Sequence, residues 1–151
     1  MKIAYIASSG GPLEQLMMLC PLMERYESCV ITEKTAYKAP PTGQTTYFVQ
    51  QVNRHEAAFI PKMIGISFKS LWIFLKERPD VVITTGALAV IPFCLLAKLC
   101  GKKLVYIESF AKVTSGNLTG KLLYRFADRF YVQWESMLKV YPKAIYRGGI
   151  Y

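Results

Sequence analysis

Short apolar runs rich in β-branched residues alternate with longer apolar segments of helical length along the chain. The run at 81–84 is β-branched throughout and leads to Gly86, which is typical of a buried parallel strand that meets a tight turn. Segment 87–100 is apolar at nearly every position and is followed by Gly101, so it predicts a helix with a glycine cap. The run at 104–107 predicts a second buried strand. These segments together predict a βαβ unit with a right-handed crossover.

The same alternation continues on both sides of this unit. Further strands are predicted at 2–7, 28–32, 46–49, 130–132 and 144–146, and further helices at 13–25, 61–78, 118–127 and 135–140. In helix 118–127, we expect Leu122, Leu123 and Phe126 to point inward. Six or seven strands alternating with helices predict an α/β fold, a doubly wound and mostly parallel sheet of the Rossmann type. At 151 residues, we expect one such domain over the whole of 1–151.

Composition and charge narrow the class of protein. No apolar run reaches the ~18 residues that a membrane-spanning helix needs, and the amino terminus predicts a first strand and not a signal peptide. The four cysteines form no C-x-x-C pair, which favours reduced thiols in a cytoplasmic protein. The net charge of +9 favours an anionic partner. Nucleic acid is disfavoured, because the chain has no recognition-helix, zinc or aromatic RNA-binding signature.

The predicted helix 61–78 is more apolar than packing on a sheet requires. Its lysines recur every seven residues and so form one stripe: Lys62, Lys69 and Lys76. One interpretation is a deeply buried crossover helix whose lysines reach solvent. The other is a helix with one face on the sheet and a patch around Phe68 and Trp72 that rests on an anionic bilayer.

Small and polar residues fall at the carboxyl ends of the predicted strands, where open α/β sheets bind their ligands. The Gly10-Gly11 turn lets the backbone approach a ligand, although Gly-Gly alone is a weak phosphate motif. Glu108 ends a buried strand and is expected to point into the crevice, as a general base or an acceptor for a sugar hydroxyl. It could equally cap a backbone N–H. The loop 114–117 suits a diphosphate, or it only caps the next helix.

The remaining candidates are weaker. His55 is the only histidine and reads as a surface or capping residue, and no metal cluster or cofactor motif is present, so no metal or cofactor is predicted. Gln133 and Trp134 follow a strand and could line the cleft, form an interface or be buried. The aromatic segment from Tyr146 to Tyr151 could dock another chain or be an edge element.

Several motifs in a fixed order resemble one family. They are Ser9-Gly10-Gly11, Thr85-Gly86-Ala87, the Gly101 to Ser109 segment, the loop with Thr114, Ser115 and Gly120, Ala127-Asp128, Gln133-Trp134, Tyr141-Pro142 and Gly148-Gly149. This set resembles the membrane-anchoring subunit of the two-part UDP-GlcNAc transferase of asparagine-linked glycosylation. It also resembles the bacterial enhancer subunits of two-chain glycosyltransferases in capsule and exopolysaccharide synthesis. More distantly, the chain is similar to the N-terminal domain of the GT-B transferase that adds GlcNAc to the lipid-linked peptidoglycan precursor.

The resemblance implies that the chain is the acceptor-side half of a split GT-B glycosyltransferase. A separately encoded catalytic chain would bind the UDP-sugar, and an undecaprenyl-diphosphate-linked saccharide would be the acceptor. The eukaryotic anchor begins with a membrane-spanning helix that is absent here, so peripheral attachment to the cytoplasmic face of the membrane is expected. Pro12 stands where the family loop usually has His.

The resemblance also implies roles for individual residues, with Glu108 as the catalytic candidate. Contacts to the acceptor and its diphosphate are expected from Ser9, Gly10, Gly11, Gly86, Ser109, Thr114, Ser115, Gly116 and Asn117. Contacts to the anionic membrane are expected from Lys62, Phe68, Lys69, Trp72 and Lys76, and contacts to the catalytic chain from Gln133, Trp134, Tyr146 and Tyr151.

Two alternative functions remain open from the sequence. A self-sufficient nucleotide-sugar-binding glycosyltransferase would need a G-x-G-x-x-G turn and an acid after the second strand. Glu33 is near the second of these positions, but the turn lacks the glycine spacing. A membrane scaffold without an acceptor site would need neither feature.

Overall fold

The computed structural model describes residues 1–36 and 43–151, so part of the loop between the second and third strands lies outside the described residues. Within those ranges, seven strands form one sheet in the order β3-β2-β1-β4-β5-β6-β7. The strands are β1 (Lys2–Ala7), β2 (Glu27–Lys34), β3 (Thr45–Gln50), β4 (Val81–Gly86), β5 (Lys103–Ile107), β6 (Arg129–Val132) and β7 (Ile145–Tyr146). All six pairings between neighbouring strands are parallel.

Helices cover both faces of this sheet. They are α1 (Gly11–Met17), α2 (Cys20–Arg25), α3 (Phe59–Glu77), α4 (Ile91–Leu99) and α5 (Leu118–Leu123), with 3-10 turns at Leu88–Val90 and Glu135–Lys139. Alternate residues of β1 enter different cores, with Ala4 packing in the cluster of α3, α4 and α5 and Tyr5 in the cluster of α1 and α2. The predicted doubly wound α/β fold is therefore confirmed, and the sheet is parallel throughout the described residues.

Two predicted helices are interrupted at prolines. Helix 13–25 divides into α1 and α2, because Pro21 has no N–H to donate to the carbonyl of Met17. Segment 87–100 starts as a 3-10 turn before α4, whose first turn contains Pro92. The predicted helix 118–127 is also shorter than expected and ends at Leu123.

The side chains of α5 that face the core also differ from the prediction. Leu123 is buried as expected, but Leu122 is 39% exposed and Phe126, beyond the end of the helix, is 42% exposed. Thr119 and Gly120 occupy the inward side with Leu123. The prediction that Leu122 and Phe126 point inward is therefore wrong, since the short helix presents only one narrow stripe to the core.

Helix α3 has one face on the sheet and an exposed apolar face. Ile66, Ile73 and Phe74 are buried, whereas Phe68 is 71% exposed and Trp72 is 54% exposed. The deeply buried crossover helix is therefore the wrong interpretation. The alternative geometry, with the Phe68 and Trp72 patch outside the core, is the one observed.

A polar cluster joins β1, β3 and α3 at the amino ends of the strands. The Lys2 ammonium forms ion pairs with Glu77 and Glu27, and the Tyr47 hydroxyl donates to Glu77. Burial alone would raise the pKa of the Glu77 carboxyl, but the hydrogen bonds from Lys2 and Tyr47 outweigh it and hold the pKa below its usual value. The carboxylate of Glu77 therefore stabilises the fold in its ionised form.

We predict that Glu77→Gln lowers the free energy of unfolding by about 1–3 kcal/mol at pH 7, because two half-buried donors, Lys2 and Tyr47, lose a charged acceptor. The folded pKa of Glu77 is depressed, so its contribution is complete well above the reference value of 4.5 and is lost as the pH falls through the folded pKa. Urea unfolding at pH 7 and pH 3 measures the difference. Glu24→Gln, at an exposed position of α2, is the control, and an equal loss at both pH values would contradict the assignment.

Candidate functional site

A cleft of about 750 Å³ lies beyond the carboxyl ends of β1, β4 and β5. The strand order reverses between β1 and β4, and doubly wound sheets bind their ligands at such a switch point. The walls come from the turn after β1, the segment before α3, the turn after β4 and the loop after β5. Residues of these four segments that line it include Pro12, Arg54, Gly86, Ser109 and Asn117.

The turns after β1 and β4 form one wall of the cleft and are bonded to each other. The Thr85 hydroxyl donates to the carbonyl oxygen of Pro12 at 2.7 Å. Gly10 has φ +88° and Gly86 has φ +96°, which other residues rarely adopt. A Cβ atom at Gly86 would also lie 2.7 Å from the Tyr106 hydroxyl. The backbone conformation therefore requires both glycines, and packing against Tyr106 also requires Gly86, whatever the ligand.

Glu33, at the end of β2, holds two of the cleft segments together. Its side chain is buried, and its carboxylate accepts hydrogen bonds from the backbone N–H groups of Ser9 and Val52. Burial raises the pKa of the Glu33 carboxyl, and these two bonds oppose that effect. The acid after the second strand, which a nucleotide-binding enzyme would offer to a ribose, is therefore occupied by backbone donors here.

Glu108 lies behind the cleft wall and is fully buried. Its Oε1 accepts from the Ser109 N–H at 2.9 Å and from the Asn117 side-chain N–H at 2.6 Å, and its Oε2 accepts from the Tyr141 hydroxyl at 3.1 Å. Burial raises the pKa of the Glu108 carboxyl against the effect of these bonds. The expectation that this side chain points into the crevice is wrong, because three donors hold it inside. Its catalytic role remains a prediction.

Asn117 links this buried network to the cleft. Its Oδ1 accepts from the Gly120 N–H at 2.6 Å and so caps α5, while its amide nitrogen donates to Glu108. The capping interpretation of the loop is therefore observed. Gly116 and Gly120 are needed beside it, since a Cβ at Gly116 would overlap the Tyr141 hydroxyl.

Three cationic side chains line the cleft and were missed by the sequence reasoning: Arg54, Lys112 and Lys121. None of the described lining residues is acidic. Tyr106 and Tyr141, which complete the network around Glu108, were also missed as site residues. Tyr141 could have been found from the sequence, because it belongs to one of the ordered motifs. The three cations lie far apart in the sequence, and no spacing pattern connects them.

The residues predicted to bind the acceptor divide into two groups. Gly86, Ser109, Gly116 and Asn117 line the cleft. The others lie in the two flanking turns: Ser9, Gly10 and Gly11 after β1, and the exposed Thr114 and Ser115 after β5. Their predicted contacts with a ligand remain predictions.

The predicted partner-contact residues are partly internal. Gln133 is buried, where its amide nitrogen donates to Gln15 Oε1 at 2.8 Å and to the Glu108 carbonyl at 3.0 Å. Its Oε1 accepts from the Ile150 N–H at 3.0 Å, so it fastens the terminal segment. Trp134 is half-buried and donates to the Phe110 carbonyl. The exposed members are Tyr146, at 40%, and Tyr151, at 62%.

Two further findings concern the part of the chain that the structure describes. No group of three or more His, Cys, Asp or Glu side chains in residues 1–36 and 43–151 is arranged to hold a metal ion. No helix within these ranges is both long enough and apolar enough to cross a membrane.

A family model described as "Oligosaccharide biosynthesis protein Alg14 like" matches residues 44–150. The chain belongs to the Alg14-like family. The human "UDP-N-acetylglucosamine transferase subunit ALG14" is 30% identical over 99% of this chain and 83% of its own length. The Schizosaccharomyces pombe protein of the same description is 47% identical over 46% of this chain and 36% of its own length. The resemblance to the anchoring subunit is thereby confirmed.

Solved structures share the fold at low identity. MurG from Acinetobacter baumannii matches with a TM-score of 0.69 and 16% identity over 87% of this chain and 40% of its own. A glycosyltransferase from Rickettsia africae matches with a TM-score of 0.68 and 12% identity over 97% of this chain and 42% of its own. The chain therefore spans less than half the length of these structural relatives.

We predict that Glu108→Ala lowers the free energy of unfolding more than Glu108→Gln does. Alanine leaves the donors of Ser109, Asn117 and Tyr141 unpaired in the core, at about 1–3 kcal/mol for each unsatisfied group. Glutamine keeps one oxygen acceptor and removes the desolvated charge. Chemical denaturation of the three proteins at pH 7 compares them, and equal stability of Glu108→Ala and the parent would contradict the network.

We also predict opposite effects of one substitution at two glycines. Gly116→Ala should destabilise the fold by about 1–3 kcal/mol, because the new methyl group collides with Tyr141. Gly65→Ala, in the interior of α3 with open space around it, should stabilise by about 0.5–1 kcal/mol. Thermal unfolding measures both, and a stabilising Gly116→Ala would mean that the turn is free to move away from Tyr141.

Proposed function

We propose that this chain is the acceptor-binding subunit of a two-chain GT-B glycosyltransferase, with the nucleotide-sugar site on a separately encoded chain. The observation that carries the proposal is the extent of the fold. One sheet with its helices matches only 42% of a glycosyltransferase of similar architecture, and the human relative is described as a transferase subunit. A subunit of this kind has little transferase activity alone.

The cleft supports an anionic acceptor. Arg54, Lys112 and Lys121 approach it from three segments without an acidic neighbour in the described lining. Gly86 and Gly116 also line the cleft, where neither has a side chain that would keep a ligand away from the backbone. Lysine and arginine together suit the charge of a diphosphate, and hydroxyl groups such as that of Ser109 suit a sugar. We therefore propose a diphosphate-linked saccharide on a lipid, such as undecaprenyl diphosphate, as the acceptor.

A bare part of the sheet supports a protein partner. On the face that carries α1 and α2, a groove of about 410 Å³ lies over β5 and β6, between Leu22 of α2 and Ile150 of the terminal segment. Its floor includes Val105, Ile107 and Tyr131. Parallel sheets are normally covered on both faces, so a segment of the catalytic chain would complete this one. The exposed Tyr146 and Tyr151 stand at the two ends of the terminal segment that borders this groove.

Helix α3 supports peripheral attachment to the cytoplasmic face of a membrane. Phe68 and Trp72 are exposed beside Lys62, Lys69 and Lys76. The Lys76 ammonium lies 5.0 Å from the centre of the Trp72 ring, an arrangement suited to the interface between headgroups and acyl chains. Capsule or exopolysaccharide synthesis is the setting we propose, because undecaprenyl-linked saccharides are extended at that face.

The two alternatives fit the geometry less well. A self-sufficient enzyme would use the acid after β2 for the nucleotide, and the Glu33 carboxylate is bound by the N–H groups of Ser9 and Val52. A scaffold without an acceptor site would have no use for a cleft with three cations. These two features favour the acceptor-binding subunit.

The test mixes the purified chain with a candidate donor-binding GT-B half encoded in the same genome and measures transfer from radiolabelled UDP-GlcNAc to undecaprenyl-diphosphate-linked GlcNAc. We expect little transfer by either chain alone and full transfer by the mixture. Lys112→Glu should raise the KM for the acceptor about tenfold or more, since it reverses a charge at the diphosphate. It should leave the KM for UDP-GlcNAc unchanged.

The matched control is Lys139→Glu, which makes the same change at an exposed position outside the cleft. Complex formation, followed by gel filtration, should be normal for both variants. Full transfer by the chain alone, or tight binding of UDP-GlcNAc to it, would overturn the division of labour. Equal KM values for the two variants would overturn the acceptor site.

A further inference from the structure

The three helices on one side of the sheet carry charge of a single sign at their surface. Within their bounds, α3, α4 and α5 contain five lysines and one acid, and the acid is the buried Glu77: Lys62, Lys69, Lys76, Lys98 and Lys121 are the lysines. The helices on the other side, α1 and α2, contain Glu14, Glu24 and Arg25. The two faces of the molecule therefore differ in charge, and the helical layer of α3, α4 and α5 is the cationic one.

The same layer has a second exposed apolar stripe besides that of α3. Leu118, Leu122 and Phe126 follow each other at intervals of four residues and are 54%, 39% and 42% exposed. Leu99, at the end of α4, is 84% exposed. Because α4 contacts both α3 and α5, the two stripes lie on helices of one layer, and the outer surface of that layer contains both stripes and Leu99.

This surface reaches the cleft. All three helices run away from the carboxyl edge of the sheet, and the residues before or at their first turns line the cleft: Arg54 before α3, Leu88 before α4 and Leu118 at the start of α5. Leu118 therefore belongs both to the cleft wall and to the exposed stripe of α5. Lys121, one turn further on, is also a lining residue.

We propose that α5 is a second contact with an anionic bilayer, beside α3, and that the mouth of the cleft opens onto the bilayer surface at Leu118. A lipid-linked ligand then enters from the membrane plane, with its headgroup meeting Lys121 while its tail stays among acyl chains. The identity of that ligand rests on the proposed function, whereas the orientation of the protein does not.

The charges favour a bilayer over a protein as the occupant of this face. Apolar stripes bordered by lysines on successive helices fit an extended anionic surface, because a lysine can place its ammonium among headgroups while its methylene chain covers apolar neighbours. Two of the five lysines are ion-paired, Lys62 with Glu56 and Lys98 with Asp128. Lys69, Lys76 and Lys121 are therefore the ones that we expect to meet the headgroups. On α3, α4 and α5, no exposed acid opposes that surface. The partner groove over β5 and β6 lies on the opposite face of the sheet, so both contacts can form at once.

The test is flotation of the purified chain with vesicles of phosphatidylcholine containing 30% phosphatidylglycerol. The variants are Leu122→Glu with Phe126→Glu on α5, and Phe68→Glu on α3. Each should weaken vesicle binding roughly tenfold or more. The new carboxylate replaces an apolar side chain that the bilayer would bury, and it is repelled by the anionic lipid. Met18→Glu, at an exposed apolar position after α1, is the matched control and should bind like the parent. Vesicles of phosphatidylcholine alone should bind the parent weakly.

The milder pair Leu122→Ser with Phe126→Ser, checked by thermal unfolding, guards against loss of the fold. Parent-like flotation of both α5 pairs, with Phe68→Glu defective, would overturn the second contact. Loss of complex formation with the catalytic chain at unchanged flotation would also overturn it, in favour of a protein occupant. The flotation assay needs neither the partner nor the acceptor, so its result is independent of the transfer assay. If vesicle binding depends on both α3 and α5 but transfer fails, the result counts against the proposed function alone.

Discussion

Two buried carboxylates hold the cleft in shape. Parallel strands end in turns whose backbone N–H groups have no partner in the sheet, and unpaired buried donors are costly. Glu33, on β2, satisfies two of these donors, one after β1 and one after β3. Glu108 satisfies the Ser109 N–H after β5 and accepts from the side chain of Asn117. Burial raises the pKa of both carboxyl groups, and the hydrogen bonds from backbone, amide and hydroxyl donors offset only part of that effect.

Much of the fold could be predicted from the chain, because parallel strands are buried on both faces and read as continuous apolar runs. The strands at 81–84 and 104–107 are examples, and both are found within β4 and β5. The direction in which the helical side chains point was harder to predict. Leu122 and Phe126 are apolar and correctly spaced for a core, yet the narrow contact of α5 with the sheet leaves them outside. An apolar side chain favours burial, but its apolarity does not show whether the core of the protein or another surface buries it.

The candidate site was predictable in position but not in detail. The strand ends predicted the places of Gly86 and Ser109 at the cleft, because open α/β sheets bind their ligands beyond the carboxyl ends of the strands. The direction of the Glu108 side chain depended on Tyr141, which is 33 residues away and arrives through the last turns of the fold. Long-range donors of this kind leave no local pattern. The cations of the cleft are similar, because they come from separate parts of the chain: Arg54 before α3, Lys112 in the loop after β5 and Lys121 in α5.

The hydrogen bonds of Gln133 tie distant parts of the chain to one amide group. It holds Ile150 near the end of the chain, Gln15 on α1 and the carbonyl of Glu108. Displacing the terminal segment would remove the hydrogen bond from the Ile150 N–H to Gln133. The Gln133 side chain would keep its bonds to Gln15 on α1 and to the Glu108 carbonyl before the loop after β5. The terminal segment is therefore connected to the loop after β5, which forms part of the cleft wall, through the buried side chain of Gln133.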